Sequence, residues 1–280
     1  MKKIAIIGVG LMGGSLGIAL KNGTNKKQYN IIGIGRNEKK LRKAKKLNAV
    51  DSFSVDISSV RDADIVFICS PVDTVTDIYK IVSKYVKKGA VVADIGSTKE
   101  NIEKEINVLR KKNKNLPEFV GCHPMAGTEH SGIDYAKDDL YYDATTIITS
   151  NKNSKGTKIV AKVWKDVGCK VVYMSAKQHD KYAAFTSHLP HIIAFVYYKI
   201  FKEKSAKNKD INNLIAGSFK SITRVAKSSP EMWMPIFLNN KNNLKELSKQ
   251  LCKEIKLFTD TFNDTKKLKN FLAKGKNENQ

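Results

Sequence analysis

Short apolar runs alternate with amphipathic stretches along the first 174 residues of the chain. The runs have the length of buried strands, and the stretches between them repeat apolar residues at helical spacing. This alternation is typical of βαβ units, which build a parallel sheet covered by helices on both faces. The pattern predicts strands over residues 3–8, 30–35, 63–69, 90–95, 118–122, 145–149 and 170–174. It predicts helices over residues 11–22, 38–46, 72–86, 98–111 and 157–167.

The pattern changes after Met174, where the strand signals stop and helical periodicity takes over. Further helices are predicted over residues 178–187, 191–204, 211–227 and 240–273. A chain of 280 residues exceeds the usual size of one hydrophobic core, so two domains are expected. We place a doubly wound α/β domain at residues 1–174 and an all-helical domain at residues 175–280.

A glycine-rich turn separates the first predicted strand from the first predicted helix. Its G-x-G-x-x-G spacing allows a tight turn, close approach of a pyrophosphate to the helix N-terminus, and close packing of helix on strand. With a strand before it and a helix after it, the turn predicts a Rossmann-type domain that binds NAD+ or NADP+. The residues expected to contact this cofactor are Gly8, Gly10, Leu11, Met12, Gly13, Arg36, Ser70 and Pro71.

The end of the second predicted strand bears on the choice of cofactor. NAD-selective sites normally place an acidic residue there to accept hydrogen bonds from the ribose. This strand instead ends at Gly35, and Arg36 follows. An arginine at that place pairs with the 2′-phosphate of NADP+ or stacks on the adenine of either cofactor. Both interpretations stay open, and both remove the usual discrimination against NADP+.

The net charge of the chain is +23, which raises the question of a nucleic-acid partner. The basic residues are nearly all lysine, asparagine is abundant, and no basic strip is interleaved with aromatic residues. A genome biased toward lysine and asparagine codons explains this composition. We therefore expect no nucleic-acid partner, although the charge attracts anionic substrates at long range.

The N-terminal apolar stretch imitates a secretory signal, but the glycines within it favour a strand and a turn. No other apolar run approaches the length of a membrane span. The four cysteines have neither CxxC nor metal-ligand spacing, and they are interpreted as small buried apolar residues of a reducing compartment. These features predict a cytoplasmic protein without a membrane partner or a metal site.

Two residues at the ends of predicted strands are candidates for chemistry. His123 ends the fifth strand at the ligand-binding edge of the sheet, where a histidine serves as a general base near neutral pH. Taken alone, it could equally be a structural histidine. Ser97 follows the fourth strand, and it could line the nicotinamide pocket or cap the next helix. The other histidines leave similar alternatives, and His130 and His179 are expected at the surface or behind the site.

Five segments carry a resemblance to a known family: GVGLMGGSLGIAL (residues 8–20), GSTK (96–99), HPMAGTEHSG (123–132), SHLPH (187–191) and FKSITRVAKSSPEMW (219–233). In this order they resemble the prephenate/arogenate dehydrogenases of tyrosine biosynthesis. The resemblance implies that His123 hydrogen-bonds the ring hydroxyl of the substrate, with Ser97 beside it as the second catalytic residue. It implies substrate-binding roles for Arg224, His191, Glu129 and Trp233. It also implies a homodimer formed through the helical domain.

Several functional alternatives remain at this point. Arogenate would bring an ammonium group, and residues 187–195 offer no carboxylate to receive it, which slightly favours prephenate. A dehydrogenase of the β-hydroxyacid kind would share the first half of the chain but not HPMAGTE and SHLPH. A non-catalytic dinucleotide sensor would not require His123, Ser97 and Arg224 together. In one departure from the family pattern, Ala216-Gly217-Ser218 stands where a run of glycines is common.

Overall fold

The computed structural model describes residues 1–23, 28–128 and 130–275 of the chain. The strands in these residues are β1 (Lys2–Ile7), β2 (Tyr29–Ile34), β3 (Ser52–Ser54), β4 (Ile65–Ile68), β5 (Val91–Asp94), β6 (Glu118–Val120), β7 (Cys122–Pro124), β8 (Thr145–Ile148) and β9 (Lys170–Tyr173). The α-helices are α1 (Leu11–Asn22), α2 (Glu38–Lys46), α3 (Val75–Val82), α4 (Glu100–Lys112), α5 (Lys155–Asp166), α6 (Ala176–Ala183), α7 (Leu189–Lys207), α8 (Gly217–Thr223), α9 (Pro230–Asn239), α10 (Lys241–Thr259) and α11 (Thr265–Lys274).

Within the described residues, six parallel strands form the main sheet in the order β3-β2-β1-β4-β5-β6. Strands β4 and β5 are buried at every position, as expected where helices cover both faces of a sheet. The order reverses between β1 and β4, whose carboxyl ends form the crevice in which such sheets bind ligands. The predicted Rossmann-type fold is confirmed. The short polar strand β3 was not predicted.

The strand predicted over residues 118–122 is two strands in two sheets. It divides at Gly121, so that β6 pairs with β5 in the main sheet while β7 pairs antiparallel with β8. A side chain at Gly121 would overlap those of Glu103 and Thr149, and this crowding requires a glycine at the crossing. Together β7, β8 and β9 form a second, three-stranded sheet. His123 therefore stands in the small sheet, beside the edge of the large one.

The chain after β9 is helical throughout the described residues, as predicted, but two helix predictions were too long. The segment 240–273 breaks between α10 and α11, where Thr261 and Asp264 bond to nearby backbone groups. The segment 211–227 contains α8 between two short 3₁₀ turns. Polar side chains that compete for backbone bonds end helices that apolar periodicity alone would continue. A domain boundary near residue 174 stays a prediction.

Helix α9, which was not predicted, packs the helical segment against the main sheet. Ser229 caps this helix and Pro230 occupies its first turn, the signals that typically start a helix. Trp233 and Ile236 of α9 are buried in the same apolar cluster as Ile68 of β4 and Val72 beyond it. The helical segment therefore covers the carboxyl edge of the sheet beside the crevice.

Two further observations complete the fold. No helix among the described residues is long and apolar enough to cross a membrane. The cysteines are unpaired, and three are buried or half-buried, but Cys252 on α10 is exposed, so the expectation of a buried residue was wrong there.

Gly17 marks the point where α1 comes closest to its neighbours, since a Cβ atom there would overlap the carbonyl oxygen of Ala49. We expect Gly17→Ala to lower the free energy of unfolding by up to about 2 kcal/mol. Overpacking costs roughly 1–3 kcal/mol, while the better helix propensity of alanine offsets about 1 kcal/mol. Urea unfolding followed by circular dichroism measures the difference. Gly10→Ala is the control, because no atom lies within 4 Å of that Cβ position. Equal losses in both variants would contradict the packing argument.

Candidate active site

The turn between β1 and α1 depends on close approach of the backbone. Gly8 has a φ of +93°, and a Cβ atom there would lie 2.7 Å from the carbonyl oxygen of Cys69. A Cβ atom on Gly13 would overlap the carbonyl oxygen of Gly8. These two contacts let α1 start directly above the end of β1. The first helical turn is also held by the Tyr141 hydroxyl, which donates to the carbonyl of Met12 at 2.8 Å.

Gly10 faces open space, in contrast to its two neighbours in the motif. No atom lies within 4 Å of its Cβ position, and no side chain caps the start of α1. The backbone N–H groups of the first turn, including that of Leu11, are donors of the kind that bind phosphate at a helix N-terminus. The residues present therefore fit the pyrophosphate of a dinucleotide.

Arg36 lies exposed just beyond β2. The two residues after it are engaged within α2: the Asn37 side chain accepts a bond from the Lys40 N–H at 3.0 Å, and Glu38 pairs with Arg42 at 2.5 Å. The first carboxylate that follows β2 in the sequence is thus already paired on the helix surface.

Ser70 and Pro71 form the corresponding turn after β4. The Ser70 and Thr74 hydroxyls lie 2.7 Å apart, and Thr74 also donates to the carbonyl of Pro71 at 2.7 Å. These bonds fix the chain on the far side of the crevice from the glycine turn.

His123 stands at one end of a buried chain of hydrogen bonds. Its Nδ1 lies 2.8 Å from Nε2 of His179, and Nδ1 of His179 lies 2.7 Å from Oδ1 of Asp180. His179 and Asp180 belong to α6 and are almost completely buried. The helical segment therefore completes a site that the strand begins.

The carboxylate determines the direction of every bond in this chain. An ionised Asp180 only accepts, so His179 carries its proton on Nδ1 and presents a lone pair at Nε2. His123 then donates from Nδ1, which leaves the lone pair on its own Nε2. A histidine held in this form is a proton acceptor, as in other relays in which a carboxylate orients an imidazole.

Asp180, on helix α6 of the helical segment, also caps helix α4 beside the main sheet. Its two carboxylate oxygens accept bonds from the backbone N–H groups of Lys99 and Glu100 at 2.8 and 2.9 Å. The sequence offers Ser97 as the cap of a helix beginning at residue 98. The helix begins at Glu100 instead, and Asp180 takes the capping role. The hydroxyl of Ser97 is not used as a helix cap.

A buried ion pair ties the Ser97 segment to the His123 strand. Lys99 and Asp94 are completely buried and pair directly. Asp94 also accepts bonds from the Gly96 N–H at 2.8 Å and from the Cys122 N–H at 3.3 Å. One carboxylate thus holds the residues immediately before Ser97 and before His123.

Burial lowers the pKa of His123 well below its ordinary value of 6.5, and His179, Lys99 and His188 lower it further. Burial also lowers the pKa of His188, to about 4, against the opposing effect of Asp180. Both imidazoles are therefore neutral at physiological pH.

A second cluster contains three of the predicted substrate-binding residues. His191 stacks on Trp233 with ring centroids 3.6 Å apart, and its Nδ1 donates to the Ser187 carbonyl at 2.9 Å. Arg224 is exposed on the turn after α8, close enough to lower the pKa of His191, although burial lowers it more. The Trp233 indole nitrogen is buried, with no hydrogen-bond partner among the described residues. Glu129 lies outside the described residues.

His188 connects the two clusters. Its ring lies edge-on to Trp233, with centroids 5.9 Å apart, and its electrostatic effect reaches His123. The structure therefore brings His123 together with the three predicted residues of the second cluster. Across residues 1–23, 28–128 and 130–275, no three histidine, cysteine, aspartate or glutamate side chains are grouped to hold a metal ion.

Two family models match the chain. The model for the nucleotide-binding domain of prephenate dehydrogenase matches residues 16–173, and the model for its dimerization domain matches residues 175–274. The chain belongs to the prephenate dehydrogenase family. The first match begins after the glycine turn, so the evidence for that turn is its own geometry.

Individual members of the prephenate dehydrogenase family are similar to this chain over most of their length. A cyclohexadienyl dehydrogenase from Zymomonas mobilis is 34% identical over 85% of this chain and 81% of its own. A prephenate dehydrogenase from Lactococcus lactis is 29% identical over 99% of this chain and 76% of its own. The structure of the Aquifex aeolicus prephenate dehydrogenase, in complex with hydroxyphenyl propionate and NAD+, is similar with a TM-score of 0.88. It is 36% identical, over 98% of this chain and 96% of that chain. This chain is an oxidoreductase of the prephenate dehydrogenase type.

His130 is exposed, as expected, and stacks on Tyr135. Three other residues, His179, Asp180 and Asn240, were missed or misplaced by the sequence-based predictions. His179 was expected at the surface or behind the site. It is fully buried and contacts His123, so a surface position was wrong. Asp180 and Asn240 were not considered. The adjacent His179-Asp180 pair at the start of a predicted helix was the available signal, but no local pattern shows which distant strand that helix meets.

We expect Asp180→Asn to lower kcat by about 10²–10⁴, because an amide no longer fixes the direction of the histidine relay, and the same change in a serine-protease triad costs about 10⁴. Steady-state kinetics under saturating substrate measure the effect. Asp56→Asn is the control, since Asp56 caps a short turn at the surface through a bond to the Ser58 N–H. A loss in Asp180→Asn no greater than in the control would show that the relay does not serve catalysis.

Proposed function

We propose that the chain oxidises and decarboxylates prephenate to 4-hydroxyphenylpyruvate, using NAD+ or NADP+, with His123 as the general base. The observation that carries the proposal is the buried His123–His179–Asp180 relay beside the ligand-binding edge of a dinucleotide-binding sheet. Family membership supports the reaction type, and the relay supports the role of His123.

The reaction requires a base, a carboxylate anchor and a hydride acceptor. When bound, the nicotinamide ring supplies the last of these, accepting hydride from the ring carbon that bears the hydroxyl. The lone pair on Nε2 of His123 accepts the hydroxyl proton, and the resulting imidazolium is stabilised through His179 by Asp180. Carbon dioxide leaves as the ring becomes aromatic. Ser97, held through Asp94 in the adjacent loop, is assigned to the same hydroxyl.

Arg224, His191 and Trp233 are assigned to the acidic groups and the ring of the substrate. The guanidinium matches a carboxylate in bidentate geometry, and the stacked His191–Trp233 pair provides a flat apolar wall with polar edges. Glu129 keeps its proposed role near the pocket mouth on the resemblance alone.

The same site would accept arogenate if a group on the enzyme received its ammonium. The segment 187–195 supplies no carboxylate, which favours prephenate. The cyclohexadienyl dehydrogenase among the relatives is the observation that keeps arogenate as the second candidate.

We assign the helical segment to a homodimer interface. Large apolar side chains are exposed along its helices, including Val196 and Tyr197 on α7, Met234 and Leu238 on α9, and Ile255 on α10. Exposed apolar surface beyond scattered single residues marks protein–protein contact sites, and the matching family model describes this segment as a dimerization domain.

A matrix of prephenate and arogenate with NAD+ and NADP+ tests the proposed reaction and the cofactor choice. We expect prephenate to be oxidised, with kcat/KM for NADP+ no worse than about tenfold below NAD+, a gap of about 1.4 kcal/mol. The reason is that Arg36 follows β2 while Glu38 is paired with Arg42. Absorbance of the reduced cofactor measures each rate. No turnover of either substrate would refute the proposed reaction. A preference for NAD+ above about a hundredfold would refute the interpretation that the end of β2, followed by Arg36, does not discriminate against NADP+.

The pH profile of kcat/KM tests the assignment of His123. The imidazole must be neutral to accept a proton, and its pKa is held well below 6.5. We therefore expect activity to stay constant from neutral pH down past 6.5 and to fall only as His123 becomes protonated at lower pH.

His123→Asn should lose about 10²–10⁴ in kcat, the usual contribution of a positioned base, while cofactor affinity is unchanged. A loss below about fivefold would remove His123 from the reaction.

Arg224→Ala should act mainly on KM for prephenate. Removal of one partner of a charge pair that becomes desolvated when the substrate binds commonly costs about 2–5 kcal/mol, so kcat/KM should fall by at least about thirtyfold. Lys227→Ala is the matched control, because it removes a cation from the same short turn. An unchanged kcat/KM in Arg224→Ala would show that another cation anchors the substrate.

A further inference from the structure

Asn240 occupies a buried position at the start of α10, beside the helix that carries the relay. Its Nδ2 donates to the backbone carbonyl of Asp180 at 2.8 Å and to Nδ1 of His188 at 3.1 Å. Its Oδ1 accepts from Asn243 at 2.7 Å. Only 3% of the Asn240 surface is exposed, so these bonds do not compete with water.

These contacts fix the protonation of His188. The carbonyl of Asp180 only accepts hydrogen bonds, so the amide must turn its nitrogen toward it. The second proton on that nitrogen then points to Nδ1 of His188, which must accept. The neutral imidazole therefore carries its proton on Nε2.

The proton on Nε2 of His188 lies against the loop that carries Ser97. This nitrogen is buried, and within the part of the chain that the structure describes no atom completes a short hydrogen bond to it. The backbone of Ser97 acts on this imidazole as a hydrogen-bond acceptor does, opposing the lowering of its pKa by burial. A buried donor without a strong partner costs free energy, so an acceptor that the Ser97 segment presents to this N–H is held there.

We propose that Asn240 is a positioning residue: by fixing His188 as a donor toward the Ser97 backbone, it places the Ser97 hydroxyl next to the substrate hydroxyl that His123 deprotonates. This inference rests on the proposed function. It gives the two histidines opposite roles, since the relay presents a lone pair at His123 while Asn240 presents an N–H at His188.

The test compares two sets of variants with the full-length enzyme and prephenate. Asn240→Ala removes the bond that fixes His188, and Asn239→Ala is its control. Asn239 is the preceding residue, and its side chain bonds the Pro235 carbonyl instead. His188→Gln keeps an N–H near the position of Nε2, whereas His188→Leu removes it. The His188 pair leaves the bond between Asn240 and the Asp180 carbonyl in place.

We expect Asn240→Ala and His188→Leu to lower kcat by about tenfold to a hundredfold, since misplacement of a reacting group by about 1 Å has that effect. KM for the cofactor should be unchanged. His188→Gln should stay within about fivefold of the wild type, and Asn239→Ala within about twofold. Nitrogen-15 spectra of labelled histidine should show His188 protonated on Nε2 in the wild type and in both tautomers in Asn240→Ala.

Wild-type kcat in Asn240→Ala would overturn the inference, as would a fall in kcat with an unchanged tautomer at His188. If Asn240→Ala does not fold, the His188 pair decides, and equal activity of His188→Gln and His188→Leu overturns it. A wild-type enzyme that does not oxidise prephenate would instead refute the proposed function.

Discussion

The carboxylate of Asp180 accepts hydrogen bonds from two backbone groups at the start of α4 and from the ring of His179. The first two bonds hold the helical segment against the Rossmann sheet, and the third directs the imidazole pair. Because the free N–H groups at a helix N-terminus favour a carboxylate as their acceptor, the same contact also orients Asp180 toward His179. The acceptor role of Asp180 is what leaves a lone pair on His123. Packing of the two parts of the chain and the protonation of the site thus depend on one side chain.

Buried charge is concentrated around this contact. Lys99 and Asp94 are removed from water as a pair, and their cost is offset by backbone bonds to the segments before Ser97 and before His123. Apolar burial alone would leave these two segments free to slide, since it has no direction. The ion pair instead fixes their relative position. The positive charge of Lys99 also disfavours a charged His123, which keeps the base neutral.

Local patterns predicted most of the Rossmann fold and only part of the site. The bounds of α1 and α2 follow from a glycine turn and an Asn37 cap that lie next to them in sequence. The glycine motif and His123 lie at strand ends, so the sheet edge could be inferred. His179 and Asp180 reach the site through a contact between a helix and a strand distant in sequence, which no local periodicity encodes. The helix breaks near Asp264 escaped prediction because polar side chains, rather than apolar spacing, set them.

The burial of the histidine relay has a chemical consequence. In the proposed oxidation of prephenate with His123 as the base, the proton removed from the ring hydroxyl is returned to the same oxygen when carbon dioxide leaves and the ring becomes a phenol. The balanced reaction therefore releases no proton, and His123 ends the cycle in the state in which it began. Such a base needs no path for protons to bulk water, and full burial of His179 creates no obstacle to turnover. A site of this kind can close completely around its substrate and open only to exchange reactants and products.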